Sequence, residues 1–263
     1  MSHRTQHNWA NDEALKGIIN LIAVLADNKY YLGRALSEWA VGAPSLENSV
    51  GCAAIAQEEL GHCRAIYPLL EEFAWAGAPI PLENKGEGRD RRYCMSFLDA
   101  APSTWSQMVC GLFLIDTATL TLVESLVESS YEKLARRIAR IPAEEHFHME
   151  FAEGRVRELV RVPEGHSQLA LQVDRLLPET LCWFGPPGEL GVETLVQEGI
   201  LKKNSEELRR AYLARICPLL LEVGFRIDAT WDLATQTWTY EELPWERWNA
   251  LQRRLETSVT TPS

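Results

Sequence analysis

The chain has 263 residues, 46% of them hydrophobic, and sets 26 basic against 37 acidic side chains for a net charge of −11. A surface of that sign repels phosphate backbones, which excludes nucleic acid as a partner; the one basic cluster, "GRDRRY" at 88–93, leaves room only for a small anionic ligand. Cys52, Cys63, Cys94, Cys110, Cys182 and Cys217 form no C-x-x-C pair, the N-terminal "MSHRTQHNWANDE" lacks the apolar core of a signal peptide, and no run approaches 18 apolar residues. Reduced, buried thiols in a soluble cytoplasmic protein with no membrane partner are the expectation.

Helical periodicity dominates. A first helix is predicted from a cap near Asn11 to about Val41, with Ile22, Leu25, Ala26, Leu32, Leu36 and Ala40 as its apolar stripe. "GAPS" ends it, Ser45 caps a second helix reaching about Trp75, and the Gly-, Pro- and charge-rich "AGAPIPLENKGEGRDRR" reads as a crossover or lid. Ser103 can cap a third helix carrying Val109, Leu112, Phe113, Leu120 and Val123, and a fourth leads into "RIPAEEHFHMEFAEGRVRELV" with a kink at Pro142. Four segments of about thirty residues, roughly 45 Å each, suit an all-α four-helix bundle with one longer connection. Beyond Pro163, "SEELRRAYLARICPLLLEVG" and "PWERWNALQRRLE" read as amphipathic helices, with "CWFGPPGELG" as a rigid turn. The expected organisation is a single domain over 1–263, with a core bundle over 11–162 and a C-terminal helical extension over 163–258.

Chemistry concentrates in two copies of E-x-x-H, in "IAQEELGHCRAI" and "IPAEEHFHMEF". Residues three or four apart share a helix face. Stepping from Glu59 meets Cys52, Ile55, Ala56, His62, Cys63, Ile66 and Leu70; stepping from Glu145 meets Ile138, Ile141, His148, Met149, Ala152 and Val156. Both pairs therefore face the core. Glu144 shares a face with Arg137, Arg140 and Arg155 and reads as solvated, whereas Glu58 shares one with Gly51, Ala54, Gly61 and Ala65, which leaves a packing role open. A buried carboxylate needs a partner or a metal. One inward Glu/His pair is more often a hydrogen-bonded couple, but two on long helices separated by a crossover match the di-iron or di-manganese carboxylate arrangement of ferritin-like bundles. Asp116 is the sole charge on the stripe of the third helix; the alternative is an Asp bonded to Thr117 or Thr119.

The first helix departs from that pattern. Its stripe brings Lys29 to the depth where a fourth carboxylate belongs, with Asn28 adjacent, Asp27 pointing away and Glu38 about half a turn out of phase. Two readings stand: a lysine that snorkels out of the bundle, or an ammonium that contacts Glu59, Asp116 or Glu145 and leaves one metal position weak or empty. His146 falls on the opposite side of its helix from His148, and His3, His7 and His166 lie outside the bundle.

"LADNKYYLGRALSEW" and "APSLE" resemble the start of the non-catalytic structural subunit of the phenylacetyl-CoA epoxidase family, a multicomponent bacterial oxygenase of aromatic catabolism. "AQEELGHCRAIY", "EEHFHMEF", "LCWFGPP" and "NSEELRRAYLARICPLLLEVGF" are similar to its catalytic ferritin-like subunit, and the likeness spans roughly 15–250. The resemblance implies a ferritin-like fold, metal ligation by Glu59, His62, Asp116, Glu145 and His148, and a catalytic set of Glu59, Asp116, Glu145 and Lys29. It implies a di-iron centre (manganese as second choice), insertion of one oxygen atom from O2 into the ring of an aromatic acyl-CoA, electrons from NADPH through a separate reductase, and a homologous ferritin-like subunit as partner. The family's helix-one glutamate falls at Lys29 or Tyr30, and neither is a carboxylate. The competing expectations are a scaffold subunit without working metal, which Lys29 favours, and a metal-storage or peroxide-scavenging ferritin-like protein. The long tail after Pro163 and the nine tryptophans speak against the latter.

Overall fold

Asn11 caps the first helix as the sequence predicts, its side chain accepting the Glu13 N–H at 3.0 Å, and helix α1 runs over Asp12–Gly42. The computed structural model of the chain describes residues 11–83, 89, 91–240 and 242–256; His3, His7 and, within the basic cluster, Gly88 and Asp90 lie outside them. Ser45 caps α2, Leu46–Ile66, which is shorter than expected: the chain turns at Tyr67-Pro68 into a single helical turn, and Trp75 sits in a 3₁₀ turn. The third bundle helix α3, Trp105–Leu126, is capped by Thr104 rather than Ser103. A short helix Glu132–Ile138 precedes the fourth, α4, Ile141–Leu159. Pro142 falls in the first turn of α4 and starts that helix instead of kinking it, because the N–H it lacks has no intrahelical partner there.

These four helices form an all-α ferritin-like bundle around one continuous apolar core. Helix α1 packs along α2, and α4 packs on α3. Three further helices complete the wall: α5 (Pro163–Trp183) against the first half of α3, α6 (Leu190–Gln197) on α1, and α7 (Ser205–Glu222) against the second half of α3. Among the described residues α3 is the one helix long and apolar enough to cross a membrane; 94% of that apolar window is buried inside the protein, so it is the core helix. The six cysteines are buried free thiols, as expected.

The extension is helical only as far as α7. Beyond it come two antiparallel hairpins, β1 (Ala229–Asp232) with β2 (Thr237–Tyr240) and β3 (Trp248–Asn249) with β4 (Arg254–Leu255). The predicted helix over "PWERWNALQRRLE" is instead a 3₁₀ turn leading into β3 and β4. Its tryptophans pack against guanidiniums, Trp245 on Arg209 and Trp248 on Arg253. Those two arginines also bind the free carbonyls where α5 ends, Arg209 donating to Leu181 O and Gly185 O, and Arg253 to Trp183 O. The "WFGPP" segment is the predicted turn; Gly185 has φ +92°, and a Cβ there would meet Glu189 Oε2 at 2.0 Å.

Two departures from the sequence reading bear on the site. Within α3 the turn Leu112–Asp116 is π-helical, which re-aims the side chains that follow it. Thr117 Oγ1 donates to Phe113 O at 2.5 Å, and the Tyr212 hydroxyl of α7 donates to Leu114 O at 3.1 Å and lies 3.0 Å from Thr180 Oγ1. Asp27, expected to point away, is fully buried: it accepts from Arg89 at 3.0 and 3.1 Å, from the Tyr67 hydroxyl at 2.9 Å and from the Tyr93 N–H at 2.9 Å. Arg89 of the basic cluster thus has an internal anion as its partner. Removing the Tyr212 hydroxyl takes one bond from Leu114 O, which keeps the Thr117 N–H, and one from Thr180 Oγ1, which keeps Leu177 O. Tyr212→Phe is expected to lower the stability measured by urea denaturation by about 0.5–1.5 kcal/mol; an unchanged midpoint would show that the hydroxyl does not brace the turn.

Candidate metal centre

Each of the four bundle helices sends a charged side chain to one point in the core. Lys29 of α1, Glu59 of α2, Asp116 at the end of the π turn of α3 and Glu145 of α4 are all buried, with His62 and His148 beside them. The Lys29 ammonium donates to Glu59 Oε1 at 2.8 Å, to Asp116 Oδ1 at 2.6 Å and to Glu145 Oε1. The lysine therefore turns inward to the carboxylates and does not snorkel. Asn28, next to it, bonds Val24 O and the Met95 N–H instead. Asp116 also accepts from Thr119 Oγ1 at 3.3 Å, so its threonine contact and its place in the cluster coexist.

Both histidines aim Nδ1 at the same point. His148 Nδ1 lies 3.0 Å from Asp116 Oδ2, 3.4 Å from Glu145 and 3.6 Å from Glu59; His62 Nδ1 lies 3.3 Å from Glu145 and 3.4 Å from Glu59. Glu59, Asp116, Glu145 and His148 each offer a ligand atom within 4.8 Å of the others, a donor set able to hold a metal ion. Glu59 Oε2, Glu145 Oε2 and His62 Nδ1 are buried without a hydrogen-bond partner, so the cluster keeps free lone pairs after Lys29 has taken its three.

The Nε2 atoms face outward, each to a carboxylate that the helix walks had not placed at the site. His148 Nε2 lies 2.8 Å from Glu58 Oε2, and His62 Nε2 lies 2.9 Å from Glu144 Oε2. The Glu144 side chain is 44% exposed, as its arginine-rich face foretold, yet its carboxylate reaches the histidine of a different helix. The sequence signal for both is the doubled glutamate, E-E-x-x-H, in each motif. His146 is exposed and contacts Glu150, and His166 bonds Val223 O away from the cluster.

The electrostatics follow from that geometry. Burial works against the Lys29 charge, but Asp116, Glu145 and Glu59 override it and hold the ammonium well above the usual lysine range. Burial together with Asp116 pushes Glu59 up to about 7, whereas for Glu145 burial is outweighed by Lys29 and the imidazoles, which hold it well below 4.5. Burial opposes charging of the histidines, yet their carboxylate neighbours raise His62 to about 9 and His148 to about 11. A histidine raised above its unfolded value of 6.5 stabilises the fold fully below that pH and loses the contribution as pH climbs through the folded value. The raised Glu59 acts in the same sense from 4.5 to about 7, and the depressed Glu145 is lost only in acid, below 4.5. The metal-free protein is therefore expected to melt at progressively lower temperature from pH 6.5 to about 9, with a shallower decline in His148→Gln; parallel curves for wild type and variant would refute the assignment.

No curated protein matches the chain. The family described as phenylacetic acid catabolic protein matches residues 1–258. That match spans nearly the whole sequence and agrees with the resemblance carried by the E-x-x-H and "WFGPP" segments. With this coverage and the four-helix carboxylate–histidine cluster, the chain belongs to the phenylacetic acid catabolic protein family.

Proposed function

We propose that the chain is the metal-bearing subunit of a multicomponent oxygenase that inserts one atom of O2 into the ring of an aromatic acyl-CoA. The observation that carries this reading is the retention of both inward Glu/His pairs together with Asp116 on facing helices of the bundle. The unpartnered oxygens of Glu59 and Glu145 and the unpartnered His62 Nδ1 fit a bound cation. With both imidazoles neutral, as ligation requires, three buried carboxylates against one ammonium leave two negative charges, which one divalent ion matches and two would overshoot. Asp116, Glu145 and His148, with Glu59 and His62, would hold that ion; the position that a helix-one carboxylate would serve faces the Lys29 ammonium.

Iron suits this mixture of hard carboxylates and neutral imidazole, with manganese second. Reduced iron held there supplies the electron-rich centre that dioxygen chemistry requires. The protein's own share is to exclude water by closing four helices over the cluster, and to hold the carboxylates at fixed separations through Lys29 Nζ. Electrons come from NADPH through a separate reductase, and a homologous ferritin-like subunit completes the complex. A second reading, a scaffold subunit with no working metal, is favoured by the same Lys29 contact, because an ammonium already neutralises part of the cluster.

Protein purified without chelator from iron-replete cells is expected to hold about one iron or manganese ion per chain. Metal should fall to background in a Glu59→Ala, Glu145→Ala double variant, and Lys29→Glu should raise it toward two. Equal metal in wild type and double variant would remove the metal reading and leave the scaffold, while no gain in Lys29→Glu would show that Lys29 does not decide occupancy.

Oxygen uptake dependent on an aromatic acyl-CoA should require both the reductase and the homologous subunit. Turnover by this chain alone with a chemical reductant would overturn the partner requirement.

A further inference from the structure

The two motifs are alike beyond their inward pairs: Glu58-Glu59 precedes His62 as Glu144-Glu145 precedes His148. Adjacent residues on a helix point about 100° apart, so when the second glutamate of each pair faces the bundle axis the first is turned to one flank. Helices α2 and α4 pack against each other, and the flank each glutamate meets belongs to the other helix. Glu58 of α2 lies 2.8 Å from His148 Nε2 of α4, and Glu144 of α4 lies 2.9 Å from His62 Nε2 of α2. The contacts are crossed and reciprocal: each motif supplies the outer acceptor for the other motif's histidine.

From this geometry we infer that Glu58 and Glu144 are positioning residues for the metal centre, each fixing the imidazole of the opposite motif with Nε2–H outward and Nδ1 inward. The inference rests on the metal reading of the site. An ionised carboxylate can only accept, so the nitrogen it faces must carry the hydrogen, and in the neutral ring that ligates a metal the lone pair then belongs to Nδ1. In both rings Nδ1 is the atom aimed at the carboxylate cluster. The two outer carboxylates are 41% and 44% exposed, whereas the inner ones are buried. The remaining histidine of the second motif does not compete for Glu144, because His146 is turned to Glu150. Loss of such an outer partner typically weakens metal binding about 10- to 100-fold.

The test uses the full-length protein, Mn2+ for affinity and 113Cd2+ with 15N-labelled histidine for ligation. In wild type, 113Cd coupling is expected at Nδ1 of His62 and His148, with a slowly exchanging proton on each Nε2. Glu58→Ala should weaken Mn2+ binding about 10-fold or more and disturb the His148 signals while leaving those of His62 in place. Glu144→Ala should do the converse. Glu58→Gln and Glu144→Gln keep an acceptor oxygen and should recover most of the affinity, which separates positioning from a fold defect. Wild-type protein that takes up neither ion overturns the metal reading and this inference with it. Uptake that is unchanged in both alanine variants, or a Glu58→Ala change confined to His62, overturns this inference alone.

Discussion

The buried ammonium of Lys29 and the three carboxylates around it form the constraint on which the bundle depends. An isolated charge at that depth costs several kcal/mol even after local relaxation, so none of these four side chains is tolerable without the others. They come from four different helices. The charges are therefore satisfied only when all four helices stand in one rotational register, since a slip of one residue swings a side chain by about 100°. Apolar stripes alone specify the register less sharply, because Leu, Ile and Met exchange positions at modest cost.

That constraint extends outward through a single turn of α1. Asp27, Asn28 and Lys29 are consecutive and all fully buried, and each looks to a different part of the molecule. Asp27 takes Arg89, Tyr67 and the Tyr93 N–H, and Asn28 takes the Met95 N–H, so the two together hold the crossover against the bundle. Lys29 gathers α2, α3 and α4. Farther along, Glu179 of α5 accepts the N–H groups of Ser96 and Phe97, which pins the end of the same crossover. Polar side chains thus supply the long-range connections here, and each is paired as its burial requires.

What the sequence revealed depended on whether the partner lay on the same helix. The α1 stripe, the inward Glu/His pairs and the isolation of Asp116 are properties of single helices, and periodicity found them. Lys29 was placed on the inward stripe by the same means, but periodicity left two readings for it, snorkelling or contact with Glu59, Asp116 or Glu145. Asp27 was misread because its partner Arg89 is 62 residues away on a segment with no periodicity. Glu144 is exposed as its own helix indicated, but nothing on that helix could show that His62 approaches it from α2. The π turn of α3 left no mark in composition. Pro142 was read as a kink because the start of α4 at Ile141 was not visible in the apolar pattern. The last hairpin resembled a helix since Trp245, Trp248 and Leu251 recur at helical spacing, although the two tryptophan rings pack on arginines.

Lys29 is also the point at which the centre departs from the two-ion pattern of ferritin-like bundles, and the charges explain why the departure can be tolerated. Four inward carboxylates balance two divalent ions. Exchanging the helix-one carboxylate for an ammonium changes the cluster by two positive charges, the amount carried by one such ion. The lysine therefore does to the electrostatics of the core what one of the two metals does, and its Nζ meets Glu59, Asp116 and Glu145 as a cation would. In the metal-free protein the inward imidazoles, raised by the carboxylates around them, help Lys29 to balance those carboxylates, so their aim serves the fold as well as a bound ion. Here both rings keep Nδ1 toward the cluster and Nε2 toward an outer glutamate, and lone pairs of Glu59 and Glu145 stay free after Lys29 is satisfied. On the proposed reading, such a centre would hold one ion.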